Sequence, residues 1–170
     1  MPRKVKRTGS RAPKAQKKPA TGKVSKKTSS AVVKCPSKLK TGKIATYGEL
    51  LKTTGDGTSD RDHIPSYKAL EKRATFLKGR SLTKQEKSKV KRAGKAIVLP
   101  KSVHKQGRTF GGKNTNTQSG EDAGNLSGAA SKDIRAYEKL GVDTSTVSAM
   151  KTMQMTNKEY DDTLMKLLDV

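Results

Sequence analysis

Several residue types are scarce in this chain of 170 residues, and each scarcity excludes a class of protein. Tryptophan is absent and aromatic residues make up 4% of the sequence, so any core is small and mainly aliphatic. The single cysteine, Cys35, cannot form an intramolecular disulfide, which excludes a disulfide-stapled secreted scaffold. No apolar run reaches the roughly 18 residues that a transmembrane helix needs. The basic N-terminus lacks a following apolar stretch, which is not typical of a Sec-type signal peptide.

Acidic residues are also few, because 15 Asp and Glu stand against 38 Lys and Arg, a net charge of +23. Such a charge favours a polyanionic partner, nucleic acid first and an anionic membrane second. Residues 1–30 hold eleven of the basic residues and no acidic one, and we expect a disordered tail there. It is either an electrostatic anchor on nucleic acid or a solvated linker. The rest of the chain keeps +12, which is 23 less those eleven.

The spacing of apolar residues predicts a mostly helical α+β fold. Ser66 precedes an apolar stripe and predicts a helix that ends at Gly79, and Thr-Lys-Gln-Glu at 83–86 predicts a capping box for a cationic helix. The apolar run Ala96–Leu99 before Pro100 predicts a buried strand. The other expected elements are a short helix within 43–53, loops at 55–59 and 107–117, a helix over 119–140, and C-terminal helices starting at Thr144 and Thr156.

One of the two histidines directly follows an aspartate, in the pair Asp62-His63. A neutral imidazole can accept a proton from water, and carboxylate oxygens suit Mg²⁺. On an extended backbone, neighbouring side chains point to opposite faces, so the two would act from different sides, with Asp60 on the face of Asp62. We therefore predict His63 as a general base and Asp62 as a metal ligand in a nuclease site. The alternative for His63 is a packed or surface histidine.

The second histidine, His104, follows the predicted strand on a short helix begun by Pro100. It is either a second metal ligand or phosphate donor, or an exposed histidine on a cationic turn. The loop after it carries residues that can grip phosphate oxygens, and the amide oxygen of Asn114 or Asn116 can reach a cation. The predicted nucleic-acid-binding residues are Arg61, Lys101, Lys105, Arg108 and Lys113, and the predicted ligands of a divalent cation, Mg²⁺ foremost, are Asp62, His104 and Asn114.

The motif Asp62-His63-Ile64-Pro65 resembles the opening Asp-His-Ile-x-Pro signature of HNH nucleases, with the residue between Ile and Pro missing. Over about residues 44–140 the chain is similar to HNH-type toxin domains at the C-termini of bacterial polymorphic toxins. The stretches that carry this resemblance are Thr46–Leu50, Asp60–Ser66, Val98–His104 and Arg108–Asn114.

The resemblance implies a ββα-metal fold, in which a hairpin carries the base and a following helix supplies a metal ligand. His63 would be the base, Asp62 a ligand, and His104 or Asn114 the helix-side group. The sequence departs from the compact pattern, since about forty residues with two predicted helices separate Asp62-His63 from His104.

The resemblance further implies DNA cleavage, toxicity and a cognate immunity protein. We expect a disordered basic tail over 1–30, an HNH-like nuclease core over 31–142, and a C-terminal helical scaffold over 143–170 packed on that core. The protein would be made in a bacterial cytoplasm, exported, and act in a target cell. Two alternatives stay open, a histone-like binder without enzymatic activity and the same fold acting on RNA.

Overall fold

The computed structural model describes residues 40–170, and the predicted tail and Cys35 lie outside these residues. The described part is mostly helical and contains one small sheet, which confirms the predicted α+β class. A 3₁₀ turn over Gly111–Lys113 follows the fourth helix. In chain order the strands and helices are β1 (Ile44–Thr46), α1 (Tyr47–Leu50), β2 (Ser59–His63), α2 (Tyr67–Lys78), α3 (Lys84–Ala93), β3 (Lys95–Pro100), α4 (Lys101–His104), α5 (Asn116–Gly124), α6 (Leu126–Lys139), α7 (Thr144–Thr152) and α8 (Asn157–Leu168).

The sheet has three antiparallel strands in the order β1-β3-β2. The central residues Ala96–Leu99 of β3 are fully buried, because apolar side chains cover both faces of this strand. The prediction of a buried strand is therefore confirmed. Asp60 pairs with Leu99 and Asp62 with Ile97, so both carboxylates lie on the sheet face that packs against α6 and α7.

The helices α2 and α3 fill the connection between β2 and β3. The hydroxyl of Ser66 accepts the amide of Ala69 at the start of α2, and Gly79 ends this helix with a φ of +68°. A capping box formed by Thr83 and Glu86 starts α3. These boundaries confirm the predictions made from cap residues, since each cap satisfies amides or carbonyls that the helix leaves free.

The prediction of one helix over 119–140 is wrong, because the chain forms two helices there. Asn125 separates α5 from α6 with a φ of −149°, and its side-chain oxygen accepts the amide of Gly128 at 2.8 Å. An asparagine in this position caps the second helix instead of continuing the first.

The prediction of a short helix within 43–53 is right only in its second half. Ile44–Thr46 pair with β3 as a strand, and the helix begins after Thr46, which forms a capping box with Glu49. The β-branched residues Ile44 and Thr46 suit the strand, and the hydroxyl of Thr46 then starts the helix.

The C-terminal helices supply apolar side chains to the same cores as the earlier elements. Met150 and Met153 of the α7 region are buried against Ile97 and Leu99 of the sheet. Leu164 and Leu168 of α8 pack with Leu70 of α2 in a second core. The predicted domain boundary at residue 142 stays a prediction. Within residues 40–170 no helix is long and apolar enough to cross a bilayer.

Candidate active site

The side chains of β2 alternate between the two faces of the sheet. Asp60 and Asp62 lie on the face that packs against α6 and α7, whereas Arg61 and His63 lie on the face covered by α1. Neighbouring residues of one strand are therefore separated by the sheet itself. This separation decides which of the predicted site residues can act together.

His104 lies between the two carboxylates of β2. Pro100 ends β3, and the amide of Lys101 donates to the carbonyl of Thr58 at 2.9 Å, which fixes α4 beside β2. The imidazole Nδ1 is 3.1 Å from Asp60 Oδ2, and Nε2 is 3.2 Å from Asp62 Oδ1. Aspartates and a histidine that are distant in sequence thus form one cluster, with 17% of the His104 side chain exposed.

The two aspartates change the protonation of His104. Burial alone lowers its pKa, but hydrogen bonds and charge from Asp62, and then from Asp60, outweigh burial and raise the pKa above its usual value. The two carboxylates therefore favour the protonated form of His104 more than water would. The ring of Phe110 packs edge-on against it with centroids 4.9 Å apart, which shields one side from water.

Tyr137 of α6 holds the second oxygen of Asp62. Its hydroxyl donates to Asp62 Oδ2 at 2.6 Å in a buried position, and burial followed by the charge of Asp62 raises the pKa of Tyr137. Gly107 leaves room for this hydroxyl, because a Cβ there would lie 2.5 Å from it. Asp62 is thus oriented with Oδ1 toward His104 and Oδ2 toward Tyr137.

A partly buried ion network lies next to Tyr137 and includes Asp133 of the same helix. Arg108 donates through Nε to Asp133 at 2.9 Å and through Nη2 to Asp122 at 2.9 Å. Burial raises the pKa of Asp133 to about 7, although the charge of Arg108 opposes this rise. Asp133 Oδ2 is buried without a hydrogen-bond partner among residues 40–170. The guanidinium of Arg108, predicted to bind phosphate, is instead held by two carboxylates.

His63, the predicted base, lies on the other face of the sheet and is buried. Its Nε2–H donates to the carbonyl of Lys91 at 2.8 Å, and its ring stacks on Tyr47 with centroids 4.4 Å apart. Burial lowers its pKa despite the opposing effects of that carbonyl and of Asp62. A Cβ at Gly94 would lie 2.8 Å from the ring, so the packing is tight. This geometry argues against His63 as the base that activates water beside Asp62.

The other residues predicted to bind nucleic acid differ in their contacts and exposure. Arg61 donates to the carbonyls of Leu50 and Thr53, which makes it a tether between β2 and the loop after α1. Lys113 donates to two carbonyls of the α4 loop, Lys105 is exposed and Lys101 is half-buried.

Asn114 has a buried side-chain oxygen without a hydrogen-bond partner among residues 40–170. Its backbone carbonyl accepts Lys68 Nζ at 3.0 Å. No hydrogen bond joins Asn114 to Asp62 or His104 in the described part of the chain, so its role as a metal ligand stays a prediction.

The cluster has the donor chemistry of a divalent-cation site with two protein ligands. Two ligands about 2.1 Å from one cation, at angles of 90 to 109°, lie about 3.0 to 3.4 Å apart, and Asp62 Oδ1 and His104 Nε2 are 3.2 Å apart. Asp60 on Nδ1 and Tyr137 on Asp62 are the outer partners such ligands commonly have. Residues 40–170 contain no group of three or more His, Cys, Asp or Glu placed to hold a metal. The donors present therefore fit a cation that fills its other positions with water or phosphate.

A cavity of about 630 Å³ lies away from this cluster, beside β1 and the segment joining α7 to α8. Its lining is mainly apolar and includes Ile44, Met153 and Leu164, but none of the cluster residues. None of the predicted catalytic or metal-binding residues lines this cavity, so the partly exposed cluster is the candidate site.

Three residues of the cluster and the adjoining ion network were missed or undervalued from the sequence. Tyr137 and Asp133 fell within the helix predicted over 119–140, and neither was singled out. The sequence signal that could have found them is that Asp133 and Tyr137 lie one turn apart on the apolar side of this helix. Polar groups on a helix side that becomes buried need hydrogen-bond partners. Asp60 was placed on the face of Asp62, and its contact with His104 depends on the fold of α4.

Comparison with known proteins finds a similarity to a named nuclease. The chain is 34% identical over 128 residues to a protein named Deoxyribonuclease CdiA from Dickeya dadantii (strain 3937). The aligned region covers 74% of this chain and 4% of the relative, so it corresponds to a small part of a much longer protein. No family model matches the chain. No solved structure matches it.

Proposed function

We propose that this chain is a divalent-cation-dependent endonuclease of the HNH type that cleaves DNA. The observation that carries the proposal is the cluster in which His104 lies between Asp60 and Asp62, with Tyr137 holding Asp62. Similarity to a protein named a deoxyribonuclease supports DNA as the substrate. The net charge of +23 suits a polyanion.

The order of elements around the cluster supports the comparison with HNH nucleases. The antiparallel strands β2 and β3 are followed directly by α4, which supplies an imidazole to a carboxylate of β2. α2 and α3 occupy the connection between the strands, which accounts for the wide spacing in the sequence. Of the two helix-side candidates, His104 is the one in contact with Asp62.

Each residue of the cluster has a distinct role in the proposed mechanism. Asp60 accepts the Nδ1–H of His104 and thereby leaves Nε2 as the electron-pair donor. Asp62 Oδ1 is the second donor, and Tyr137 prevents its carboxylate from rotating. A divalent cation bound here would polarise the phosphodiester and lower the pKa of water. Because His104 must lose its Nε2 proton to act as a donor, cation binding is expected to strengthen as pH rises.

Incubation with plasmid DNA and with total RNA tests this function. With Mg²⁺ or Mn²⁺ the purified chain should nick and linearise the plasmid and leave RNA intact, and EDTA or Asp62→Asn should abolish cleavage. Cleavage that persists in EDTA and in the variant would refute the cation mechanism. Degradation of RNA alone would favour the ribonuclease alternative, and binding without any cleavage would favour the histone-like alternative.

We also propose that the chain acts as a toxin domain of a larger bacterial effector, exported to a target cell and neutralised in the producer by an immunity protein. The short match within a long relative supports this proposal. Induced expression in bacteria should arrest growth and remove nucleoid DNA staining, whereas Asp62→Asn should permit growth. Equal toxicity of the two chains would contradict a toxic effect through DNA cleavage.

A further inference from the structure

The exposed side of α3 carries a row of cations that the proposed active site does not use. Ser88, Lys91 and Arg92 follow Lys84 at positions i+4, i+7 and i+8, which places all four on one face of the helix. Lys95 follows at the start of β3, and all five side chains are exposed. We call Lys84, Lys91, Arg92 and Lys95 the basic strip.

The charges of the basic strip are not neutralised within residues 40–170, since none of its four cations forms an ion pair with an acidic side chain there. The acidic side chains around α3 are engaged elsewhere. Glu86 pairs with Arg80 at 2.8 Å, and Glu71 pairs with Lys87 at 2.8 Å. Glu49, which lies near Lys95, is bound in the capping box of α1. The strip is therefore a group of exposed cations without an ion-pair partner among residues 40–170.

The helix that carries the strip is held rigidly against the sheet. His63 donates to the carbonyl of Lys91 at 2.8 Å, and the amide of Tyr47 donates to the carbonyl of Gly94 at 2.8 Å. A Cβ at Gly48 would lie 3.2 Å from Arg92, so α1 and α3 are in close contact. The backbone of the strip is consequently fixed before any ligand binds, which reduces the entropy lost on binding.

We propose that the basic strip binds the phosphate backbone of nucleic acid, at a surface separate from the Asp62–His104 cluster. The identity of the polyanion rests on the proposed function. Lys84 and Lys91 are seven residues apart, about 10.5 Å along the helix axis, a length that spans about three phosphates of one DNA strand. Ser88 supplies a hydroxyl donor between them, a group that proteins commonly use on phosphates.

The contact is independent of base sequence, because Lys and Arg on an exposed helix face reach phosphates by charge alone. Lys91 Nζ also lies 5.4 Å from the ring centre of Tyr47 and 5.7 Å from that of Tyr67. These rings orient the ammonium without neutralising it. An acidic protein surface lacks the regular charge spacing of a phosphate backbone, and such a partner is the alternative that the test can reveal.

The test measures binding of a 30-base-pair duplex (about three helical turns) by fluorescence anisotropy at several salt concentrations. All chains carry Asp62→Asn to prevent cleavage. The strip variant combines Lys84→Gln, Lys91→Gln, Arg92→Gln and Lys95→Gln. The control variant removes the same charge from exposed positions of α6 and α8, through Lys132→Gln, Arg135→Gln, Lys139→Gln and Lys166→Gln.

The strip variant should bind at least about 30-fold more weakly than the parent near 150 mM salt, and its salt slope should fall by about three. The control variant should change affinity less than about threefold. Equal losses in the two variants, or an unchanged strip variant, would overturn the proposal and leave an acidic protein as the candidate partner. Thermal unfolding of each variant shows whether it is folded.

Cleavage by chains that retain Asp62 separates this proposal from the proposed function. The strip variant should raise KM and keep kcat, because the Asp62–His104 cluster is unchanged. If the parent chain cleaves no nucleic acid, the proposed function fails, and the anisotropy result still decides whether the strip binds DNA. A lower kcat with unchanged KM would contradict a role in binding alone.

Discussion

The two faces of β2 place similar polar residues in different environments. On one face, Asp60 and Asp62 are near His104 in a partly exposed cluster with Tyr137. On the other face, Arg61 and His63 donate to backbone carbonyls of the neighbouring segments. The helices packed on each face determine how exposed its polar residues are, because α1 and α3 cover one face and α4 leaves the other partly open. Neighbouring residues of a strand can therefore have unrelated roles.

The two histidines show the same contrast in their protonation. The carboxylates of Asp60 and Asp62 raise the pKa of His104 against the effect of burial, whereas burial lowers the pKa of His63. His104 contacts two carboxylates in a partly exposed cluster, while His63 is a buried tether between β2 and α3. Three ways of testing this contrast follow, from the largest expected effect to the smallest.

The largest effect is the expected difference in cleavage rate between substitutions of the two histidines. His104→Ala should lower plasmid cleavage by about 10³-fold, because it removes one of two cation donors and the group between the carboxylates. His63→Gln keeps a donor for the Lys91 carbonyl and should retain activity within about threefold of the parent rate. Initial rates at saturating DNA and Mg²⁺ measure both effects.

The same two variants should rank in the opposite order when their loss of thermal stability is measured. His63→Gln should lower the thermal unfolding midpoint more than His104→Ala, since His63 is buried and packed against Gly94 and Tyr47. If His63→Gln abolished cleavage while the fold persisted, His63 would regain the role of base, and our assignment of the two faces would be reversed.

A smaller effect is expected for pH-dependent stability on the carboxylate face. The pKa of Asp133 is raised to about 7 by burial, whereas an aspartate in the unfolded chain titrates near 3.9. The folded protein therefore binds this proton more tightly. Its contribution to stability is complete below about pH 4 and is lost as pH rises through about 7. Relative to Asp133→Asn, the parent should lose on the order of 2 kcal/mol between pH 5 and 7 in urea unfolding.

An exposed carboxylate serves as the control for this measurement. Asp162→Asn alters an ion pair with Lys158 at the surface, and its stability difference from the parent should stay nearly constant over the same pH range. A parent and an Asp133→Asn chain with parallel pH profiles would show that Asp133 does not carry the proton.

The smallest effect is expected from Tyr137→Phe, which removes only the hydroxyl that holds Asp62. Without that hydrogen bond the carboxylate is less well oriented toward His104, and cleavage should fall about tenfold, with a higher Mg²⁺ concentration needed for half-maximal rate. Tyr160→Phe is the matched control, because the hydroxyl of Tyr160 is buried without a partner among residues 40–170. It should leave the rate unchanged. Similar losses in both variants would indicate a packing effect.

Much of the fold followed from local signals in the sequence. Ser66, Thr83 and Gly79 marked helix ends because caps act within one turn, and Ala96–Leu99 marked the buried strand through its continuous apolar run. Asn125 was missed, because the same apolar spacing runs across both helices and only the cap geometry shows the break. Local patterns therefore predicted most elements.

The candidate site was predicted only in part. Asp62 and His104 were named, and the structure brings them together. The role given to His63 depended on which face of the sheet stays open, and that is set by helices distant in sequence. The contact of Tyr137 with Asp62 joins residues 75 positions apart, which no local pattern reveals. Arg108 looked like a free cation because its carboxylate partners follow 14 and 25 residues later.

The long connection between β2 and β3 divides the site between two parts of the chain. Asp60 and Asp62 precede the exposed turn at Gly79–Ser81, whereas His104 and Tyr137 follow it. A chain cut at this turn would leave two fragments, each with half of the cluster and neither with a complete donor pair. The proposed cleavage activity would return only when the halves associate, so this turn is a position at which that activity can be made to depend on a second component.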